Sequence, residues 1–338
     1  MIEKIFKAYD VRATYPSPLN EEMAWKVGHA TAQYLKRSRQ SVASDQKVQR
    51  EDTMVVGHDM RPSSPELSRA LIDGIRSVGM NVIDIGMIDT SMIYFAINHL
   101  DTVGGIQTTA SHNPIQYNGF KISGPKAKPI GAASGLDDIK RIATTLRVGQ
   151  TGLKGTVSEM DLWKEYREHV LKFLNLRRKL KVVIDASNGM AGKMVPAIFG
   201  GVRNLEIVPV LFEITGQFVH DPNPLVEQNL QMLKDKMAQV KPDLGVCFDG
   251  DADRCMFVDE NGKILARLLL ADKIRQPLGP QRGFQRVFFA AFGGEVLVFH
   301  GTHLAMPFSA SRISTDVSVP SPSAWSARAT ASAARPSE

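Results

Sequence analysis

The run Val103-Gly104-Gly105-Ile106-Gln107-Thr108-Thr109-Ala110-Ser111-His112-Asn113-Pro114 changes character halfway along. Its first half has the Val, Ile and Thr content of a buried β-strand. Its second half has Ser, Asn and Pro, which form turns because they bond their own backbone or preset φ. Ser111 therefore stands just past the C-terminal end of a strand. In open sheets with parallel strands that edge binds ligands, because its loops are free of ladder hydrogen bonds and can present side chains and amides.

The flanking sequence repeats the same alternation. Residues 53–57 read as a strand, and Ser64-Pro65-Glu66 opens a helix with Leu67, Leu71, Ile75 and Val78 on one face. Residues 81–86 read as a strand and 92–100 as a helix. Further on, 181–186 is a buried strand followed by the Ser187-Asn188-Gly189 turn, a helix to residue 199 and a strand at 206–210. Asp221-Pro222-Asn223-Pro224 then breaks the chain ahead of a helix bearing Leu225, Leu230, Leu233, Met237 and Val240, and 243–248 forms a strand ending at Asp249. The fold class is α/β, in two consecutive domains with mixed, largely parallel sheets. A Gly- and Thr-rich stretch at 147–158, followed by an amphipathic helix at 163–174, sets the domains at 1–154 and 155–266. Residues 36–52 read as a surface loop. Beyond about 266 the sequence changes character: Ser, Ala, Arg and Pro take over from 309 onward, no period persists for long, and a disordered or poorly packed tail is expected over 267–338.

Composition bounds the partners. The chain has 338 residues, 43% apolar and 22% charged, with a net charge of +6. Residues 267–338 hold eight Lys/Arg against four Asp/Glu, leaving 33 against 31 in the body, so the positive charge is scattered surface charge and no nucleic-acid partner is expected. There is no signal-like start and no run of about 20 apolar residues, so no membrane association is expected. Only Cys247 and Cys255 occur, which excludes a disulfide framework, suits a reducing cytoplasm and reads as two small core residues. A cytoplasmic monomer is the expectation.

The chemistry sits in two loops. Ser111 can carry a phosphoryl group, and Asn118-Gly119-Phe120-Lys121 just downstream brings a lysine within reach that can pair with phosphate or move a proton. In Asp249-Gly250-Asp251-Ala252-Asp253-Arg254 three aspartates alternate. An EF-hand fails here, because its sixth position is Arg254 rather than Gly and the flanks read as strands. What remains is a short loop of hard oxygen ligands that suits Mg²⁺, with Ser111 or its phosphate supplying a fourth oxygen and Arg254 fixed beside the ion to grip a phosphate. Offsetting the charge of a transferring phosphoryl group is most of what phosphoryl-transfer catalysts do.

These segments, with Phe6-Lys7-Ala8-Tyr9-Asp10-Val11-Arg12 and Gly57-His58-Asp59-Met60-Arg61, resemble the α-D-phosphohexomutase superfamily, and within it the bacterial phosphomannomutase/phosphoglucomutase group. The resemblance covers residues 4–265. It implies an active-site phosphoserine at Ser111 that exchanges its phosphoryl group with a hexose monophosphate through a hexose 1,6-bisphosphate. It also implies Mg²⁺ on Ser111, Asp249, Asp251 and Asp253, catalytic roles for Ser111, His112, Lys121 and Arg254, and substrate contacts from Tyr9, Arg12 and Lys121. Members of this superfamily have two further domains, with a Gly-Glu-x-Ser-Gly-His loop in the third and a Thr-Glu-Pro-containing phosphate clamp in the fourth. Here Gly294-Glu295 is followed by Val296-Leu297 and no Thr-Glu-Pro occurs. A frameshift near residue 266 is the expectation, and retranslation of the coding DNA in its other frames checks it. Two rival readings are a phosphate- and metal-binding fragment without turnover, and a phosphatase with Asp249 as nucleophile.

Overall fold

The computed structural model describes residues 2–40, 50–147, 154–265, 287–292 and 295–300. Strand β1 (Val11–Thr14) is followed by α1 (Glu21–Gln40), β2 (Arg50–His58), α2 (Ser64–Arg76), β3 (Asn81–Met87), α3 (Thr90–His99), β4 (Thr102–Thr108), β5 (Tyr117–Ser123), α4 (Leu136–Thr145) and β6 (Val157–Glu159). The second run comprises α5 (Trp163–Leu171), β7 (Leu180–Asp185), α6 (Ala191–Phe199), β8 (Leu205–Val210), α7 (Gln231–Val240), β9 (Leu244–Phe248) and β10 (Cys255–Asp259).

The first sheet has the order β1-β5-β4-β2-β3-β6 and the second β10-β9-β7-β8. In the first, β4, β2, β3 and β6 run parallel, β5 pairs antiparallel with β4, and β1 pairs antiparallel with β5 and so runs the same way as β4. In the second, β9, β7 and β8 run parallel and β10 returns antiparallel to β9. The expected mixed, largely parallel α/β architecture is what forms. β6 pairs with β3, so the first sheet draws on residues as late as Glu159.

Side-chain alternation distributes each strand between two apolar layers. Met54 and Val56 of β2 face a core built with α1, α2 and α4, while Val55 faces the opposite side. In β7, Val182 and Ile184 point one way and Val183 the other, against Leu233 and Met237 of α7. The layer containing Val55 and Ile83 is continuous with the one containing Val182, Ile184 and Phe248, so the two sheets share a core. Cys247 and Cys255 are buried free thiols on β9 and β10, packed as small apolar residues.

Several local readings need correction. Residues 36–40 belong to α1 and 50–52 to β2, which corrects both ends of the loop expected at 36–52; the rest of that expectation, 41–49, lies outside the described residues. Helix α3 starts at Thr90 because the Asp89 carboxylate accepts from the Met92 amide at its N-terminus. Leu225 is not helical: the Asn223 side chain accepts from its amide at 3.2 Å and Val226 is extended, so helical structure begins only at the 3-10 turn Glu227–Leu230. Helix α5 ends at Leu171, three residues before the expected 174.

Most of 267–338 lies outside the described residues. Within it, β11 (Val287–Phe292) and β12 (Glu295–His300) pair with each other antiparallel and join neither main sheet. Among the described residues, no helix is long and apolar enough to cross a membrane.

Candidate active site

Ser111 and Asp249 each follow the C-terminal end of a central strand, β4 and β9. Because the two sheets share a core, these ends meet. Ser111 is 1% exposed and adopts φ 53, a left-handed conformation uncommon outside Gly, Asn and Asp. Its amide donates to Thr109 Oγ1 at 2.9 Å. Its hydroxyl donates to Asp249 Oδ2 at 2.9 Å and receives a hydrogen bond from Arg254 Nη2. Gly250 allows this approach: a Cβ there would lie 2.5 Å from the Ser111 carbonyl oxygen.

The acidic loop is a tight connection between antiparallel β9 and β10, in the register Phe248 to Cys255, so the flanks are strands as expected. Arg254 folds back on it, with its amide on Asp249 Oδ1 and its Nε on Asp249 Oδ2, both at 3.0 Å. Asp249, Asp251 and Asp253 are buried, and one ligand oxygen from each lies within 4.8 Å of the others. Lys121 Nζ, from β5, donates to Asp251 Oδ2 at 2.6 Å and Asp253 Oδ2 at 2.5 Å. Thr90 at the start of α3 holds the same Asp251 oxygen at 2.5 Å and donates its amide to the Asp251 carbonyl. Of the carboxylate oxygens of this loop, two that are buried have no hydrogen-bond donor, Asp251 Oδ1 and Asp253 Oδ1, the latter 3.4 Å from Arg254 Nε without hydrogen-bond geometry. Such atoms cost free energy unless something fills the gap, and hard oxygens clustered this closely fit a divalent cation.

The electrostatics follow from burial among opposite charges. Burial works against the Lys121 ammonium, but Asp251 and Asp253 outweigh it and hold its pKa above the ordinary lysine range. Burial also opposes the Asp251 charge, and Lys121 more than offsets this, keeping the carboxylate ionised. Asp249 is pushed up by burial and by its two acidic neighbours, despite Arg254. His112 falls to about 4 through burial, with Arg254 and Arg12 adding to the effect, so its ring is neutral at pH 7. Its Nδ1 accepts from Arg254, which assigns the ring proton to Nε2.

The fold thus unites Ser111, His112, Lys121, Arg254 and the three aspartates. Arg12 joins through Asn113, donating to its Oδ1 at 2.7 Å. Tyr9 stays at the surface beside Gly131, 78% exposed. Sequence reasoning assigns no role to Arg61, which underpins the Ser111 loop, nor to Thr90. It also overlooks His220, whose Nε2 lies 3.1 Å from Asp185 Oδ2 at the end of β7. The Gly57–Arg61 motif is the available signal for Arg61.

Two mixed α/β units join a buried serine hydroxyl to a buried triad of carboxylates. Residues 3–149 match phosphoglucomutase/phosphomannomutase alpha/beta/alpha domain I, and 164–262 match alpha/beta/alpha domain II. The chain belongs to the phosphoglucomutase/phosphomannomutase family. It is 36% identical over 267 residues to a phosphomannomutase of Vibrio cholerae, covering 77% of this chain and 56% of that protein. It is 36% identical over 270 residues to a phosphomannomutase of Escherichia coli K12, with the same coverage. A solved phosphoglucomutase/phosphomannomutase family protein from Burkholderia thailandensis superposes with a TM-score of 0.68 at 33% identity, covering 78% of this chain and 56% of that one. The chain therefore spans about half the length of the curated relatives it matches.

Proposed function

We propose that the chain holds the phosphoryl-transfer half of a phosphohexomutase. On this reading Ser111 exchanges a phosphoryl group with a mannose or glucose monophosphate, interconverting the 1- and 6-phosphates through a hexose 1,6-bisphosphate. One observation carries the reading: the Ser111 hydroxyl bonds Asp249 Oδ2 at 2.9 Å and receives Arg254, beside buried carboxylate oxygens left without donors.

Mg²⁺ is the ion proposed for Asp249, Asp251 and Asp253, with Ser111 or its phosphate adding an oxygen; when bound it offsets the charge of the transferring group. The remaining work falls to the chain's own side chains. Arg254 bonds the attacking oxygen and stands ready to donate to phosphate oxygens as they arrive. Lys121 is the proposed proton donor to the sugar oxygen that departs from phosphorus, a role its pairing with Asp251 and Asp253 opposes until those carboxylates turn to a cation. The proton Ser111 gives up is proposed to pass to Asp249 Oδ2, which already accepts the hydroxyl at 2.9 Å. His112 stays an acid/base candidate whose neutral ring is held by Arg254 at Nδ1. Arg12 and Tyr9 are proposed to line the sugar's side of the cleft, with Arg12 oriented by Asp10 and Asn113. The enzyme is taken to be a cytoplasmic monomer.

Incubation with glucose 1,6-bisphosphate and Mg²⁺, followed by intact-mass measurement, tests the reading. One added phosphoryl group in the wild type and none in Ser111→Ala is expected; no gain, or an equal gain in both, sinks it. A coupled assay with mannose 1-phosphate and glucose 1-phosphate separates turnover from uptake alone. Phosphate release that survives Ser111→Ala and fails in Asp249→Asn marks a phosphatase instead.

A further inference from the structure

Arg61 lies 1% exposed directly beneath the Ser111 loop, and each of its side-chain N–H groups has an acceptor. Nε donates to Asp59 Oδ2 at 3.1 Å. Nη1 donates to the carbonyls of Pro114 at 2.7 Å and Tyr117 at 2.9 Å, and Nη2 to those of Ser111 at 2.9 Å and Asn113 at 2.7 Å. The carboxylate that aims it is itself held, with Asp59 Oδ1 accepting from the Arg61 amide at 3.0 Å and from Ser64 Oγ at 2.5 Å. Phe218, from the segment after β8, sits with its ring 5.4 Å from the guanidinium carbon.

This arrangement answers two physical demands. A loop that turns through a left-handed Ser111 directs several carbonyls to its inner side, where Pro114 has no N–H to offer in exchange. Unpaired, those carbonyls would have to turn toward water, and some would swing toward the face on which Ser111 Oγ works. There a carbonyl dipole repels an incoming phosphate. A planar fork with fixed donor directions can hold all four at once, whereas a lysine ammonium has at most three donors and no fork.

We propose that Arg61 is the positioning residue of the phosphoryl-carrying loop, an internal clamp that sets the left-handed Ser111 and keeps the loop's carbonyls away from the phosphate. Asp59 aims the clamp, and Phe218 covers it from the second sheet's side. The inference deepens the phosphoserine reading and rests on it for its catalytic readout.

The test compares wild type with Arg61→Lys, in the presence of Mg²⁺, by the rate and half-saturation of Ser111 phosphorylation from glucose 1,6-bisphosphate. Amide exchange across 109–117 and the thermal midpoint are followed alongside. A misplaced nucleophile predicts a rate constant lowered roughly a hundredfold with half-saturation little changed, and faster exchange confined to 109–117. Restoration of the rate in Arg61→Ala by sub-denaturing guanidinium supports the clamp further. A folded Arg61→Lys that phosphorylates at the wild-type rate overturns the proposal, as does a loss that tracks the thermal midpoint with exchange raised evenly across both sheets. Should Arg61→Lys fail to fold, Asp59→Asn, which keeps Arg61 but weakens its aim, takes its place with the same expected readings. If the wild type takes up no phosphoryl group, the phosphoserine reading fails while exchange still judges the clamp: unchanged protection at 109–117 in the variant overturns it.

Discussion

The Ser111 loop and the acidic loop meet in one site but are finished to different degrees. Behind Ser111, four inward carbonyls are paired with a single buried arginine, whose charge is balanced by Asp59. In the acidic loop, Lys121 and Arg254 compensate three buried carboxylates only partly, and Asp251 Oδ1 and Asp253 Oδ1 have no donor. The difference separates two kinds of construction. The first loop takes its shape from folding alone, while the second carries an unmet electrostatic demand that a cation can satisfy.

The contrast breaks most visibly at Asp59. Asp59→Ala leaves a buried guanidinium without its counter-charge and is expected to cost about 3–5 kcal/mol, read as a lower urea midpoint. A loss near zero would mean that the Ser111 loop does not depend on its buried pair. Next in size is the response to Mg²⁺: at a hundred times its Kd the ion should stabilise the wild type by about 2.7 kcal/mol, and Asp251→Asn should lose most of that gain in thermal melts. An unresponsive wild type would deny that the acidic loop is unfinished. Gly250→Ala probes the seam between the loops. Its Cβ would strike the Ser111 carbonyl that Arg61 holds, and a destabilisation of about 1–3 kcal/mol is expected from such overpacking.

Smallest per pH unit is a slope at Asp89, the cap of α3, whose neighbour Thr90 grips Asp251. Burial raises the Asp89 carboxyl to about 7, against hydrogen bonds from Tyr166 and the Met92 amide. Its folded pKa exceeds its unfolded value of about 4, so the folded state binds the proton more tightly, and stability falls as pH rises between those values. Asp89→Asn retains a cap and removes the titration. The stability difference between wild type and variant should change by at most about 1.4 kcal/mol per pH unit within that window, and a flat difference would refute the assignment.

How legible the molecule is depends on the range of the interactions. Strand–helix alternation, the positions of Ser111 and Asp249 at strand ends, and the rejection of an EF-hand all follow from neighbouring residues. Arg61 is a different case: its carbonyl partners lie 50 to 56 residues downstream, and no periodicity announces them. Lys121 reads as a lysine near Ser111, yet it pairs with Asp251 and Asp253, 130 and 132 residues away. Leu225 is misread because an Asx bond at Asn223 overrides helical apolar spacing.

Composition, alternation and short motifs were enough to define the α/β class and to nominate a serine and an acidic loop, because each depends on contacts within a few residues. Which face of Ser111 is open, what holds its left-handed turn, and which carboxylate oxygens go unpaired were decided only when the two sheets came together around a common core. Those properties arise from donors and acceptors distant in the chain, whose pairing is set by burial.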